Sequence, residues 1–279
     1  MQVLEREQWR SLAAAHADRV DAFVAPHLAR REARVKHPVH DFLFTYYSQR
    51  PAQLRRWHPG YGVRLADAPE YASLKGYADG AVTPDHVASQ RPLLTALSRL
   101  LRATAARTAN FGCFGMHEWA MVYRTEDVRH DWPLRLGSSG TDTVVESHRI
   151  SCSHFDAFRF FTPAAVPLNT LSPTSSDRVE LEQPACLHAG MDLYKHAFRL
   201  TPMIPSDLVA DCFELARDIR ELDMRASPYD LRDLGYEPVE VETAAGKAQY
   251  AEAQRSFAGR GAPLRAALLA ECDRLLAVT

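Results

Sequence analysis

No apolar run in the chain reaches the roughly 18 residues that a membrane-spanning helix needs. The first twenty residues, "MQVLEREQWRSLAAAHADRV", are charged from the fifth position and contain no apolar signal-peptide centre. Cysteine is sparse and scattered: Cys113, Cys152, Cys186, Cys212 and Cys272 form no CxxC pair and are odd in number. A disulfide framework is therefore not expected, and a reduced cytoplasmic protein with buried thiols fits best. Charge of one sign is lacking as well. Thirty-three Lys and Arg face thirty-five Asp and Glu, a formal net charge of −2, without the basic excess usual in a DNA-binding domain. Lysine is scarce beside arginine, a bias that high-GC codon usage also produces. The common catalytic signatures are missing: GxGxxG, the P-loop, HExxH and GxSxG. "HEWAM" has no second histidine for a zincin, and the "SSG" of "RLGSSGTDT" reads as a loop.

What is present is a soluble composition, 46% hydrophobic and 24% charged over 279 residues, enough for a sizeable core. The pattern predicts an α+β protein, mostly helical with a small β element. It reads as one globular domain over 1–279, with residues 1–35 a candidate N-terminal helical extension. "REQWRSLAAAHADRVDAFVAPHLARREARV" predicts an amphipathic helix broken near Pro26, and "HPVHDFLFTYYSQRPAQLRRW" a second helix broken at Pro51. Thr83 followed by Pro84 is an N-cap and first-turn pair. "NFGCFGMHEWAMVYR" suggests a helix from about Phe114. "TVVESHRISCSHFDAFRFFT", rich in β-branched and aromatic residues, is the strongest strand candidate, and "RVELEQ" a shorter one. "IPSDLVADCFELARDIRELDM" places Leu208, Cys212, Leu215, Ile219 and Leu222 on one helical face, with Asp211, Glu214, Asp218 and Glu221 as a solvated stripe. The final helix is expected to break near Gly259–Pro263.

Three places carry ionisable groups among apolar ones. On the predicted strand, His154 and Asp156 share a face with Ile150, Cys152, Phe158 and Phe160. On the predicted helix "CLHAGMDLYKHAF", the spacing of four stacks His188, Asp192 and His196 on one face. Leu187, Met191, Tyr194 and Phe198 surround much of that helix, which argues for burial. In "GMHEWAMVY", His117 and Glu118 adjoin Trp119 and Met121. Each place has a plain reading: a solvated edge, a polar helix face, a surface turn. Buried ionisable groups instead need partners, and paired burial predicts that the His154 segment and the His188 helix meet in space.

Five segments, "HDFLFTYYSQRPAQLRRWHPG", "NFGCFGMHEWAMVYR", "SHFDAFRFFTPAAVPLN", "CLHAGMDLYKHAFRL" and "DCFELARDIRELDMRASPYDL", together resemble an actinobacterial family labelled 3-methyladenine DNA glycosylase, from about Lys36 to about Tyr250. The chain has neither a helix-hairpin-helix glycine loop nor a "GQDPYH"-type loop. The resemblance implies a hydrolase of the N-glycosidic bond of a flipped, modified base in DNA. The base is an alkylated purine in a repair role, or a hypermodified phage base in a defence role. That chemistry asks for a carboxylate to stabilise an oxocarbenium-like charge and an acid–base partner. Asp192, Asp156 and Glu118 are the candidate carboxylates, with His188 and His154 beside them. Tyr46, Tyr47, Trp57 and Trp119 are candidates to stack on the base, and Lys36, Arg50, Arg55 and Arg56 to meet phosphates. This reading needs no metal or other cofactor, and its partner is DNA. In the family helix the position of His196 is often Trp, which leaves His188 and Asp192 as the polar pair. The alternative is a metal-dependent enzyme acting on a small molecule, for which His117, Glu118, His154, Asp156, His188 and Asp192 supply enough imidazole and carboxylate. A non-catalytic helical binding module leaves those groups idle.

Overall fold

The fold, taken from a computed structural model, is described for residues 1–126 and 131–279. It is mostly helical with a small mixed sheet, the α+β class that the pattern predicted. Among the described residues there are twelve α-helices, and none is long and apolar enough to cross a membrane. The chain divides into two compact units. The first is Met1–Arg102, Leu193–Ala216 and Pro263–Thr279; the second is Ala103–Asp192 and Arg217–Ala262.

The first unit opens with β1 (Gln2–Leu4) and α1 (Arg6–Glu32). Helix α1 runs through Pro26 without a break. Pro26 and Ala22, whose carbonyl loses its amide partner, both face solvent, so water satisfies what the ring removes. The opposite side buries Trp9, His16, Val20, Val24 and His27, so α1 is packed into this unit along its length. The predicted second helix is two short ones, α2 (Phe42–Thr45) and α3 (Pro51–Arg55). Strand β2 (Val63–Leu65) pairs parallel with β1 and antiparallel with β4 (Ala81–Val82), which pairs with β3 (Tyr77–Ala78). The β3–β4 turn is Asp79-Gly80, both with positive φ, as a tight two-residue hairpin requires. Helix α4 (Pro84–Ser89) starts where expected, with the Thr83 hydroxyl accepting from His86 N at 3.2 Å. Helix α5 (Arg91–Ala106) follows. Trp9, Leu43, Tyr47, Leu54, Trp57, Tyr71, Leu94, Tyr194 and Phe213 are among the buried side chains of this unit.

In the second unit α6 (Met116–Ala120) begins at Gly115, held in the left-handed region at φ 68°. The predicted strand His148–Phe161 is not a strand. Helix α7 (Gly137–Ser147) takes in the first five residues of the candidate, Thr143–Ser147, and the chain re-enters a helix at α8 (Phe155–Phe158). Among the described residues, only Ile150 of this segment makes a bridge, to Asn169. The Asn169 side chain takes the place of a neighbouring strand: it accepts from Cys152 N at 2.7 Å and donates to Cys152 O at 2.9 Å. At His154 the carbonyl turns to accept from Ala157 N and Phe158 N, which starts a helix. Local β propensity loses to this context. "RVELEQ" likewise forms a helix, α9 (Arg178–Leu181).

Three long helices complete the chain: α10 (Leu187–Arg199), α11 (Ser206–Arg225) and α12 (Ala244–Leu276). Helix α12 passes Pro263 unbroken, again with the proline and the residue four before it, Gly259, exposed.

Candidate functional site

The second unit buries an unusual concentration of charge. Glu118, Glu182, Asp192, Arg220 and Asp223 are all within a few per cent of full burial, and His117 and His154 with them. Four elements deliver them. Helix α6 presents His117 and Glu118; α10 presents His188 and, one turn later, Asp192; α11 presents Arg220 and Asp223; and the segment around α8 and α9 presents His154, Arg178 and Glu182. These groups form two adjoining clusters, His117–His188–Asp223 and His154–Glu182–Asp192. In each, one potential ligand atom per residue lies within 4.8 Å of the others.

In the first cluster, His117 Nε2 and Asp223 Oδ1 stand 2.9 Å apart. They are not aligned as a hydrogen bond, and both atoms are buried without a hydrogen-bond partner. The other oxygen, Asp223 Oδ2, accepts from Arg220 Nη1 at 2.9 Å, and the same nitrogen donates to Glu118 Oε1 at 2.9 Å. Arg220 therefore fixes the carboxylate by one oxygen and leaves the other directed at His117. Burial works against the charged form of His117, but Asp223 outweighs it and holds the imidazole proton well above the usual range. Burial alone would raise Asp223, and His117 and Arg220 reverse that, so its carboxyl titrates below the usual range. The His188 ring lies edge-on to His117, with centroids 4.4 Å apart. Burial and the neighbouring imidazoles push His188 well below its ordinary value, so it is neutral at pH 7.

The second cluster already contains its own cation. Arg178 donates from Nη2 to Asp192 Oδ2 at 2.8 Å and from Nε to Glu182 Oε1. His154 Nε2 stands 3.4 Å from Asp192 Oδ2 and 3.5 Å from Glu182 Oε1. Counting Glu118, the site holds four buried carboxylates against the guanidinium groups of Arg178 and Arg220, and the proton on His117 offsets only one of the two extra negative charges in a low-dielectric interior.

Beside His117 and His188 is a cavity of about 10 Å³, lined also by Cys113, Cys152, Cys186 and Tyr250. It has room for about one water molecule. Burial raises the Cys152 and Cys186 thiols, which keeps them protonated.

The structure brings His154 and His188 together, their ring centroids 5.3 Å apart, and Asp192 and Glu118 lie in the same buried network. Asp156 belongs to neither cluster. It is half-buried on α8, 3.4 Å from Arg159. His196, further along α10, is buried but also in neither cluster. Trp119 is wholly buried and donates from Nε1 to Ala226 O at 2.8 Å, a core contact. In the first unit Tyr47 and Trp57 are core side chains, while half-buried Tyr46 stacks on Phe42 at 4.8 Å. Arg55 is engaged by Asp21 at 2.8 Å. Arg50 and Arg56 are exposed, as is Lys36.

Sequence reasoning missed Arg178, Glu182, Arg220 and Asp223. Asp223 had a signal. It falls next to Ile219, Leu222 and Ala226 on the apolar side of α11, off the acidic stripe of Asp211, Glu214, Asp218 and Glu221. Glu182 had none, because the segment that carries it was assigned to a strand.

No family model matches the chain, and neither a curated protein nor a solved structure is significantly similar to it.

Proposed function

We propose that the protein is an enzyme whose second unit holds one divalent metal ion between His117, His188 and Asp223. The observation that carries this reading is the pair His117 Nε2 and Asp223 Oδ1, buried, 2.9 Å apart, unaligned for a hydrogen bond and each without a hydrogen-bond partner. Two such atoms converging on one point, with a neutral imidazole beside them, suit a cation better than they suit each other. Two imidazole nitrogens and one carboxylate oxygen are a donor set for zinc or ferrous iron. Arg220 is the outer partner that orients the carboxylate. A divalent charge also offsets the buried excess of carboxylate.

When bound, such an ion supplies Lewis acidity beside a cavity the size of a water molecule. This favours hydrolysis as the reaction class. His188, the one member of the three that is not fully buried, marks the side from which substrate approaches. A purine does not fit a space of about 10 Å³, so only the reacting atom of a substrate reaches the centre in this conformation.

A second reading is a metal-free DNA N-glycosylase, favoured by the five resembling segments, with Asp192 as the carboxylate that steadies charge on the sugar. It draws on the burial of Asp192 beside His154. The modified base is an alkylated purine or a hypermodified phage base.

Elemental analysis separates the two. Under the first reading the purified protein carries, or after chelation takes up, one equivalent of zinc, iron or manganese. His188→Ala and Asp223→Asn both reduce that uptake at least tenfold while keeping the circular dichroism of the wild type. Protein that takes up none of the three overturns it. The second reading then predicts base release from alkylated or phage-modified DNA in the presence of chelator, lost on the order of 10²-fold in Asp192→Asn.

A further inference from the structure

The first unit contains an open cleft of about 320 Å³ that the chemistry above does not use. We propose that this cleft binds the phosphate of a nucleotide-sized ligand through Arg56, Lys75 and Arg199. The three cations come from separate stretches of chain. Arg56 follows α3, Lys75 lies in the loop before β3, and Arg199 ends α10. No Asp or Glu lines the cleft.

These three cations converge on one concavity with no carboxylate among its lining residues. Several other arginines in this unit are matched to carboxylates: Arg10 to Glu70, Arg19 to Asp211 and Glu214, Arg30 to Asp41, Arg55 to Asp21, and Arg102 to Asp273. Among the described residues, Arg56, Lys75 and Arg199 have no carboxylate partner. Three like charges around one concavity repel one another, and a bound anion turns that repulsion into attraction.

The neutral lining fits the same ligand. Thr201 also lines the cleft, and its Oγ1 is buried with no hydrogen-bond partner, a donor left for something that binds there. His58 is pinned by Tyr77 Oη at 2.9 Å, and burial together with Arg56 pushes its pKa down to about 4. It is neutral at pH 7 and adds no charge of its own. His86 is likewise lowered, by burial and by Lys75. Its ring presses on the loop at Gly76, where an added Cβ would sit 2.6 Å from His86 Cδ2, so only glycine lets this wall close up. Arginine forks match phosphate oxygens in pairs. Three cations suit a phosphate monoester or a chain of phosphodiesters better than a single carboxylate. The volume is at the lower end of small-molecule sites, which leaves room for a sugar and base beside the phosphate. The ligand is therefore a nucleotide, either free or as one unit of a DNA strand.

The test titrates the full-length protein calorimetrically with deoxyadenosine monophosphate, deoxyadenosine, and a single-stranded oligodeoxynucleotide. The phosphate-bearing ligands are expected to bind at least tenfold more tightly than the nucleoside, with affinity falling as salt rises. The double substitution Arg56→Ala plus Arg199→Ala is expected to remove most of that preference. Both side chains are exposed, so the variant folds, which circular dichroism checks, and its metal uptake is that of the wild type. Binding of the oligonucleotide alone assigns the site to a strand, and binding of the monophosphate as well assigns it to a free nucleotide. Equal affinity for nucleoside and monophosphate with no oligonucleotide binding, or full phosphate binding in the folded double variant, overturns the proposal and leaves the metal-site reading untouched.

Discussion

The imidazoles of His154 and His188 lie 5.3 Å apart, centroid to centroid, and each belongs to a different cluster of buried charge. Helix α10 makes the junction: His188 serves one cluster, and Asp192, one turn on, serves the other. The two clusters solve the same electrostatic problem differently. Around Asp192 and Glu182 the counter-charge is Arg178. Around His117 and Asp223 the second carboxylate oxygen faces the His117 imidazole at 2.9 Å and no guanidinium.

The difference can be measured. Arg178→Met removes the cation between two nearly inaccessible carboxylates and leaves its apolar volume largely in place. Breaking a buried ion pair by removing one partner costs about 3–5 kcal/mol. The variant is expected to lose stability of that order in urea denaturation at pH 7 and to keep the wild-type metal uptake. Loss of metal uptake in a variant that stays folded would place the ion in the Asp192 cluster instead.

Trp119 separates the base-stacking expectation from a core role. Its ring is fully buried and its Nε1 donates to Ala226 O at 2.8 Å. Trp119→Phe keeps an aromatic ring, reduces its volume and leaves that carbonyl without its donor, a loss of about 1–3 kcal/mol. Urea denaturation should show that loss, while titration with the oligodeoxynucleotide should be unchanged. A stable variant with weakened DNA binding would return Trp119 to the ligand.

What the sequence made legible follows the physics of each segment. Helix α10 was legible because its apolar residues surround it, and the structure buries Leu187, Met191, Leu193, Tyr194 and Ala197. The meeting of His154 and His188 was legible because two ionisable groups on apolar elements relieve each other's desolvation. The strand His148–Phe161 was misread because β-branched and aromatic residues report burial as much as strand, and Asn169 satisfies the backbone that a neighbouring strand would have. The hairpin of the actual sheet lay in "YADGAV", whose Asp-Gly turn is a strong hairpin signal, but the sheet's strands of two and three residues are too short for periodicity. The break expected at Pro51 is there, but Pro26 and Pro263 sit on solvent-facing positions of unbroken helices, a property of packing that the residue type does not carry. Arg178 and Arg220 looked like surface charges because nothing in the sequence shows which carboxylates they meet.

The first unit offers a prediction in acid. Asp41 accepts hydrogen bonds from Arg30 Nη2 at 2.7 Å and from His37 N at 2.9 Å, and His27 Nδ1 lies 2.9 Å from its Oδ1. Burial alone would raise the Asp41 carboxyl, but His27, Arg30 and the His37 amide outweigh it, so it titrates below its ordinary value of 3.8. A carboxyl that binds a proton less readily when folded favours the native state above the unfolded pKa. That contribution is lost as pH falls through about 4 and below. Asp41→Asn is expected to cost about 1.5–3 kcal/mol at pH 6, the range for hydrogen bonds to a charged group. At pH 3 the gap between wild type and variant should narrow, because the wild-type carboxyl is by then protonated in part of the folded population and most of the unfolded one. Urea midpoints at the two pH values read this directly. An equal gap at both would show that the Asp41 charge contributes nothing and that the substitution acts through shape.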